Sequence, residues 1–289
     1  MLTEFPIGND YQSYSSWWNW ALINLKLLLN NATINLEKRT KTSSILDLLK
    51  RAEESYRLGD KSGVVDLAQL IDFIKNLDYL KENDLDLYEL YKNKLTSGFR
   101  NDFSYLTGTW FEVQICCMLK KCQLKFSMPD PPDFKVDLTS QNVNIECYAP
   151  RTKEGDKIYP KLLNTIRRKK IGKYKGQSWT KSRPVLFIDG TWTIRAQGSQ
   201  IVQGQEIISK ELLQTLEELY QIGFYQMIIF FYSGFVTESN FNASTCSCVW
   251  LPSSIKDATL IKFKNSLLEN FKEENDLKII IPDLPERNF

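Results

Sequence analysis

Between Pro6 and Pro129 the chain contains no proline. Proline removes a backbone donor and clashes with the preceding helical turn, so a stretch this long without one favours unbroken helix. The apolar pattern agrees. Trp17, Leu22, Leu25, Leu28 and Leu29 recur at helical spacing, followed by Ile45, Leu48 and Leu49, then by Val64, Leu67, Leu70, Ile71, Phe73 and Ile74. Gly59 and Gly63 punctuate two of these runs. Residues 14–97 therefore read as helical, and a further helix is predicted from Phe99 to Cys122. The cluster Trp17, Trp18 and Trp20 reads as helix-packing core or an oligomer contact.

From Pro129 the texture changes. Short β-branched and aromatic runs lie between turn residues: Phe134–Leu138, Val143–Tyr148, Val185–Ile188, Met227–Tyr232, Cys248–Leu251 and Lys278–Ile281. Helical stretches separate them, over Pro160–Tyr174, Glu206–Gln221 and Ile255–Glu274. Strands alternating with helices predict an α/β domain, an α+β mixed sheet. The composition shift at 98–100 sets the expected boundary, with an all-α region over 1–98 and the α/β domain over 99–289.

Residue usage narrows the chemistry. There is no histidine, which excludes His-based triads and most zinc and haem sites. None of the six cysteines has the C-x-x-C spacing of a zinc site, and reduced, mostly buried thiols are expected. Cys147, on the apolar face of its strand and with no histidine to serve as base, reads as core rather than nucleophile. Gly198 and Gly204 belong to no phosphate-binding fingerprint, and Asp189-Gly190 after a strand reads as a turn. No apolar run approaches the roughly 18–20 residues that span a bilayer. Met1–Asp10 lacks the basic and apolar regions of a signal peptide. The cytoplasm is the expected compartment, with no membrane partner. Net charge is only +2, so any basic surface must be local.

One constellation can carry chemistry. Phe134, Val136 and Leu138 alternate with Lys135 and Asp137; Val143, Ile145 and Cys147 alternate with Asn144, Glu146 and Tyr148. Each run is thus a strand with one apolar and one polar face. Thr139-Ser140-Gln141-Asn142 between them is short and polar, as a hairpin turn is. Pairing the strands brings Asp133 towards Glu146, with Tyr148 on the face of Glu146. Two converging carboxylates repel unless a cation lies between them, and Mg²⁺ or Mn²⁺ takes such oxygen ligands. In the preceding helix, Glu112 shares an apolar stripe with Ile115, Cys116 and Leu119 and needs a partner. A basic residue or the same cation would serve equally.

A helical Glu, then Pro-Asp-Phe opening a strand, then Ile-Glu-x-x closing a hairpin resembles the PD-(D/E)XK nuclease superfamily. The resemblance covers about residues 100–190. It implies a restriction-endonuclease-like core, a metal-dependent nuclease hydrolysing phosphodiester bonds, and Glu112, Asp133 and Glu146 as Mg²⁺ or Mn²⁺ ligands. In that family a strand lysine orients the attacking water and stabilises charge on the phosphate. Here Tyr148 stands in its place. Tyr148, or a basic residue among Arg151, Lys153, Lys161, Arg167 and Lys170, would take over that role. Alternatively, the nuclease-like fold binds nucleic acid or a protein partner without cutting.

The segment from Lys161 to Arg183 holds nine Lys and Arg and no acidic residue. Solvated faces usually mix charge signs, so this run reads as a phosphate-binding patch. Lys161, Arg167, Arg168, Lys169, Lys170 and Lys173 are the expected nucleic-acid contacts, with Tyr174 and Trp179 placed to stack on unpaired bases. DNA is the first expectation as partner, RNA the second, and a homodimer is compatible.

Overall fold

The computed structural model describes residues 11–28, 62–98, 103–139, 141–150, 163–168, 172, 174–191, 201–202, 205–206, 210–236, 243–252, 254–272 and 277–280. The predicted helical run around Ile45–Leu49 lies outside them. The chain divides into two units, Met1–Cys117 with Gly234–Ser244 and Met118–Ser233 with Thr245–Phe289. The division falls inside a helix rather than at 98–100.

The first unit contains α1 (Tyr11–Leu28), α2 (Ser62–Asn83), α3 (Leu85–Gly98) and most of α4 (Phe103–Lys121). Ala21, Leu25 and Leu28 of α1 are buried, as are Leu67, Leu70, Ile71, Ile74 and Leu77 of α2, at the three- and four-residue spacing of one helix face. α1 packs on α2, and α2 on α3. Asp84 makes the α2–α3 corner. Its Oδ1 accepts from the Leu87 N–H at 3.1 Å, capping α3.

The second unit is built on a mixed sheet. Its strands are β1 (Lys125–Ser127), β2 (Phe134–Leu138), β3 (Gln141–Tyr148), β4 (Pro184–Asp189), β7 (Met227–Val236), β8 (Ala243–Leu251) and β9 (Leu277–Ile280). Of these strands only the end of β7 from Gly234 and the start of β8 to Ser244 fall in the first unit. Among the described residues they run in the order β1-β2-β3-β4-β7-β8-β9. β1, β2 and β3 are antiparallel neighbours; β3, β4 and β7 are parallel. A second ladder joins β5 (Ile201–Val202) to β6 (Gln205–Glu206). Glu206, expected to open a helix, is therefore on a strand. The helices of this unit are α5 (residues 163–168), α6 (Lys210–Gln221) and α7 (Ala258–Lys272). No helix among the described residues is long and apolar enough to cross a membrane. The protein is thus a mixed α/β structure preceded by helices, as the texture change at Pro129 predicts.

β2 has the expected alternation: Phe134, Val136 and Leu138 are buried and Asp137 is exposed. β3 departs from it. Asn144 and Glu146, expected on a polar face, are as buried as Val143 and Ile145. The cause is position. β3 lies inside the sheet beside a parallel neighbour, and parallel strands carry cover on both faces. On the face of Glu146, Ile166 of α5 and Leu212, Leu216 and Leu219 of α6 pack over Leu186, Ile188, Ile228 and Phe230. On the other, Phe263 of α7 stacks on Phe187, ring centres 6.3 Å apart.

Candidate metal centre

β2 and β3 pair with Phe134 opposite Ile145. Continuing that register by one residue sets Asp133 opposite Glu146, as the sequence pattern predicts. Asp133 is half-buried, and its Oδ2 accepts from the Cys147 N–H at 2.6 Å. One lone pair of a candidate ligand thus fixes the hairpin and orients the carboxylate.

Glu146 is only 2% exposed. Its Oε1 accepts from the hydroxyl of Tyr174, and its Oε2 is shielded from solvent as well. Tyr174 is itself held by aromatic contacts. Its ring meets Trp179 edge-on at 5.1 Å and stacks on Phe224 at 6.2 Å. Asn144, two residues before Glu146 on the same face, donates to the Ser182 carbonyl at 2.5 Å and ties the Trp179 turn to the sheet. Tyr148, expected from the resemblance to stand in place of a lysine, is half-buried and packs against the apolar cluster of α5 and α6.

Tyr225 belongs to the same neighbourhood, and the sequence reading missed it. Gly223, at φ +68°, ends α6 in the left-handed conformation glycine favours, and its N–H donates to the Tyr220 carbonyl at 2.9 Å. The chain then turns back over the sheet, burying Tyr225 to 2% exposure. Its hydroxyl has no hydrogen-bond partner among the described residues. Burial, then the charges of Glu146 and Asp133, push the Tyr225 hydroxyl far above the usual phenol range, so it stays neutral. The available signal was a glycine closing a periodic helix two residues before an aromatic at a strand entrance.

Glu112 lies in the first unit, on α4. Its Oε2 accepts from Lys94 at 2.9 Å, so a basic residue supplies one of the two partners the sequence left open. Among the described residues no three His, Cys, Asp or Glu side chains gather as they would around a metal ion. In donor chemistry Asp133 and Glu146 suit a hard cation, since each presents carboxylate oxygen at one end of one hairpin.

Arg167 and Arg168 are exposed on α5 while Ile166 is buried beneath them, and Lys175 and Lys181 are exposed farther along. Lys161, Lys169, Lys170 and Lys173 lie outside the described residues, as do Arg151 and Lys153. The expectation for the aromatics is corrected. Tyr174 is 1% and Trp179 9% exposed, so Tyr174 is turned inward onto Glu146 with Trp179 packed against it, rather than both offering a stacking surface. Asp189-Gly190 is more than a turn. Burial pushes the Asp189 carboxyl up, and a Cβ on Gly190 would fall 1.8 Å from the Phe230 ring. Compared with family models, curated proteins and solved structures, the chain finds no match in any of the three.

Proposed function

We propose that the protein is a metal-dependent phosphodiesterase acting on nucleic acid, DNA before RNA. The observation that carries this reading is the β2–β3 register, with Phe134 opposite Ile145, which extended by one residue sets Asp133 opposite Glu146. Carboxylates are costly to bring together in a buried setting, and a divalent cation is the usual compensation. The order of elements supports it: α4, the Asp133 strand, the Glu146 strand, α5 and then β4 parallel to β3. With the short strand β1 interposed after α4, this order resembles the helix–strand–strand–helix–strand succession of a restriction-endonuclease-like core.

Asp133 and Glu146 would hold Mg²⁺ or Mn²⁺, which when bound lowers the pKa of its water and offsets charge on the phosphate. Asp133 is oriented for this by the Cys147 N–H. Glu146 reaches a ligand once the Tyr174 hydroxyl leaves Oε1. The aromatic cover of Tyr174, Trp179 and Phe224 excludes water, which strengthens electrostatic interactions beneath it. Arg167 and Arg168 bind the phosphate backbone from the outer face of α5.

A second reading is a nuclease-like fold that binds nucleic acid or a protein without cutting. It is favoured by the Tyr174 bond on a carboxylate only 2% exposed and by tyrosine in the lysine position at 148. The deciding assay is cleavage of plasmid, single-stranded DNA and structured RNA in Mg²⁺, Mn²⁺ or EDTA, comparing wild type with Asp133→Asn. Asparagine keeps the acceptor for the Cys147 N–H and removes the charge. Metal-dependent cutting lost in the variant upholds the hydrolase. Salt-sensitive binding without cutting by wild type sinks it in favour of the second reading.

A further inference from the structure

Residues 174–182 form one braced turn. The Tyr174 carbonyl accepts from the Gln177 N–H at 3.2 Å, and the Gln177 carbonyl from the Thr180 hydroxyl at 2.7 Å. The Gln177 side-chain oxygen accepts from the Trp179 indole at 2.5 Å, and the Trp179 carbonyl from the Ser182 N–H at 3.1 Å. The two ends of this turn meet the sheet differently. At the Trp179–Ser182 end the Asn144 side-chain amide donates to both carbonyls, at 3.3 and 2.5 Å, and the Asn144 N–H donates to the Arg183 carbonyl at 3.2 Å. At the other end the Tyr174 hydroxyl donates to Glu146 Oε1, and its ring stacks on Phe224 at 6.2 Å. Gly176, at φ +79°, lies between the ends in a conformation that glycine favours. Lys175, next to Tyr174, and Lys181 are exposed, so the outer face of the turn is basic while its inner face closes on a carboxylate.

We propose that this turn is an autoinhibitory strap, hinged at Asn144 and latched by Tyr174 on Glu146, and that the site takes up a divalent cation only when the latch opens. The inference rests on the phosphodiesterase reading and concerns the regulation of that same site. Its physical basis is a competition for one carboxylate. A carboxylate only 2% exposed needs a partner, and the Tyr174 hydroxyl supplies one. Mg²⁺ sheds water reluctantly and keeps several waters when bound, so it takes carboxylates that water can reach. Water reaches Glu146 only when its cover moves. Latched and metal-bound states therefore exclude one another, and apparent cation affinity is reduced by the fraction of molecules that are open. The hinge end keeps its bonds to Asn144 when the latch is released, and the bonds within the turn hold it together as it swings. A phosphate chain approaching the site meets Lys175 and Lys181 first, on the element that has to move.

The test has two readouts. Isothermal titration calorimetry measures Mn²⁺ binding to wild type, Tyr174→Phe and Asp133→Asn. Acetylation of the Tyr174 hydroxyl by N-acetylimidazole, mapped by mass spectrometry, is compared in wild type with EDTA and with saturating Mn²⁺. Tyr174→Phe should bind Mn²⁺ about 10- to 100-fold more tightly than wild type, the equilibrium equivalent of one hydrogen bond to a charged group. Asp133→Asn should not bind it. The Tyr174 hydroxyl should be protected in EDTA and modified in Mn²⁺. If Tyr174→Phe binds Mn²⁺ as wild type does or more weakly, the strap is overturned; Mn²⁺ binding that still depends on Asp133 leaves the phosphodiesterase standing. A hydroxyl that stays protected with Mn²⁺ bound overturns the strap in the same way, and it decides the matter in wild type should Tyr174→Phe fail to fold. Absence of Mn²⁺ binding to wild type and Tyr174→Phe alike removes both the strap and the metal-dependent reading.

Discussion

The hydroxyl of Tyr174, on the segment after α5, donates to Oε1 of Glu146 in the middle of the sheet. A basic, sequence-distant segment is thereby fastened to the one fully buried carboxylate of the hairpin, and the stability of that fastening can be measured.

Tyr174→Phe removes a donor to a buried carboxylate and should destabilise the protein by about 1.5–3 kcal/mol, the range for hydrogen bonds to charged groups. Urea unfolding of Tyr174→Phe, Glu146→Gln and the double variant measures it. The two single losses should sum to more than the loss in the double variant, because the residues share one bond. Strict additivity would mean that the bond contributes nothing.

Arg167 and Arg168 are exposed on α5 above buried Ile166. If they contact phosphates, replacing both by Ala should weaken binding to single-stranded DNA at every sequence alike. The slope of log affinity against log salt should fall by about 1 to 2, roughly one unit per lost contact. Fluorescence anisotropy over a salt series reads the slope; an unchanged slope would place the contact surface elsewhere.

Asp257 caps α7, with Oδ1 accepting from the N–H groups of Thr259 at 2.8 Å and Leu260 at 3.1 Å, and it pairs with Arg183 at 2.9 Å. Burial works against its charged form, but the Arg183 and backbone hydrogen bonds prevail and hold the carboxyl below its usual range. A lowered folded pKa gives stability that is present above the unfolded value and lost as pH falls through the folded one. Asp257→Ala should therefore cost about 0.5–2 kcal/mol at neutral pH, the range for a lost cap. The gap between the two proteins should narrow below about pH 4, as thermal melting across pH would reveal.

Asp189 has the opposite sign. Burial raises its carboxyl above the usual range, despite hydrogen bonds from Thr191. Its contribution is then most favourable below the unfolded pKa and is lost as pH rises through the folded one. Asparagine keeps an acceptor for the Thr191 N–H, which donates to Oδ1 at 3.0 Å, and carries no charge. Asp189→Asn should melt above wild type at pH 7, and the advantage should vanish below about pH 4. An advantage that persists in acid would point to packing instead of charge.

Gly190 is required by space. A Cβ there would lie 1.8 Å from Cζ of Phe230, a ring fixed in the core. Gly190→Ala should cost about 1–3 kcal/mol or more, as overpacking does. Adding Phe230→Leu should recover part of that loss, measured as non-additivity in denaturant unfolding.

Much of this architecture was legible in the residue pattern. The proline-free stretch set the helices, and period-2 alternation set β2 from Phe134 to Leu138 together with its pairing to β3. Local geometry suffices there, because a strand shows its faces two residues at a time and a short polar connection leaves one way to pair. The pairing of Asp133 with Glu146 follows from the same register. What covers β3 could not be read. Asn144 and Glu146 look like a solvated face until α5 and α6 close over them, and that depends on parallel pairing between residues about 40 apart, Glu146 with Leu186. The sequence likewise could not choose between Lys94 and a cation for Glu112, nor turn Tyr174 and Trp179 inward. Tyr225 shows the limit most clearly. Its burial arises only when a helix-ending glycine turns the chain into the strand that follows, which no local spacing encodes.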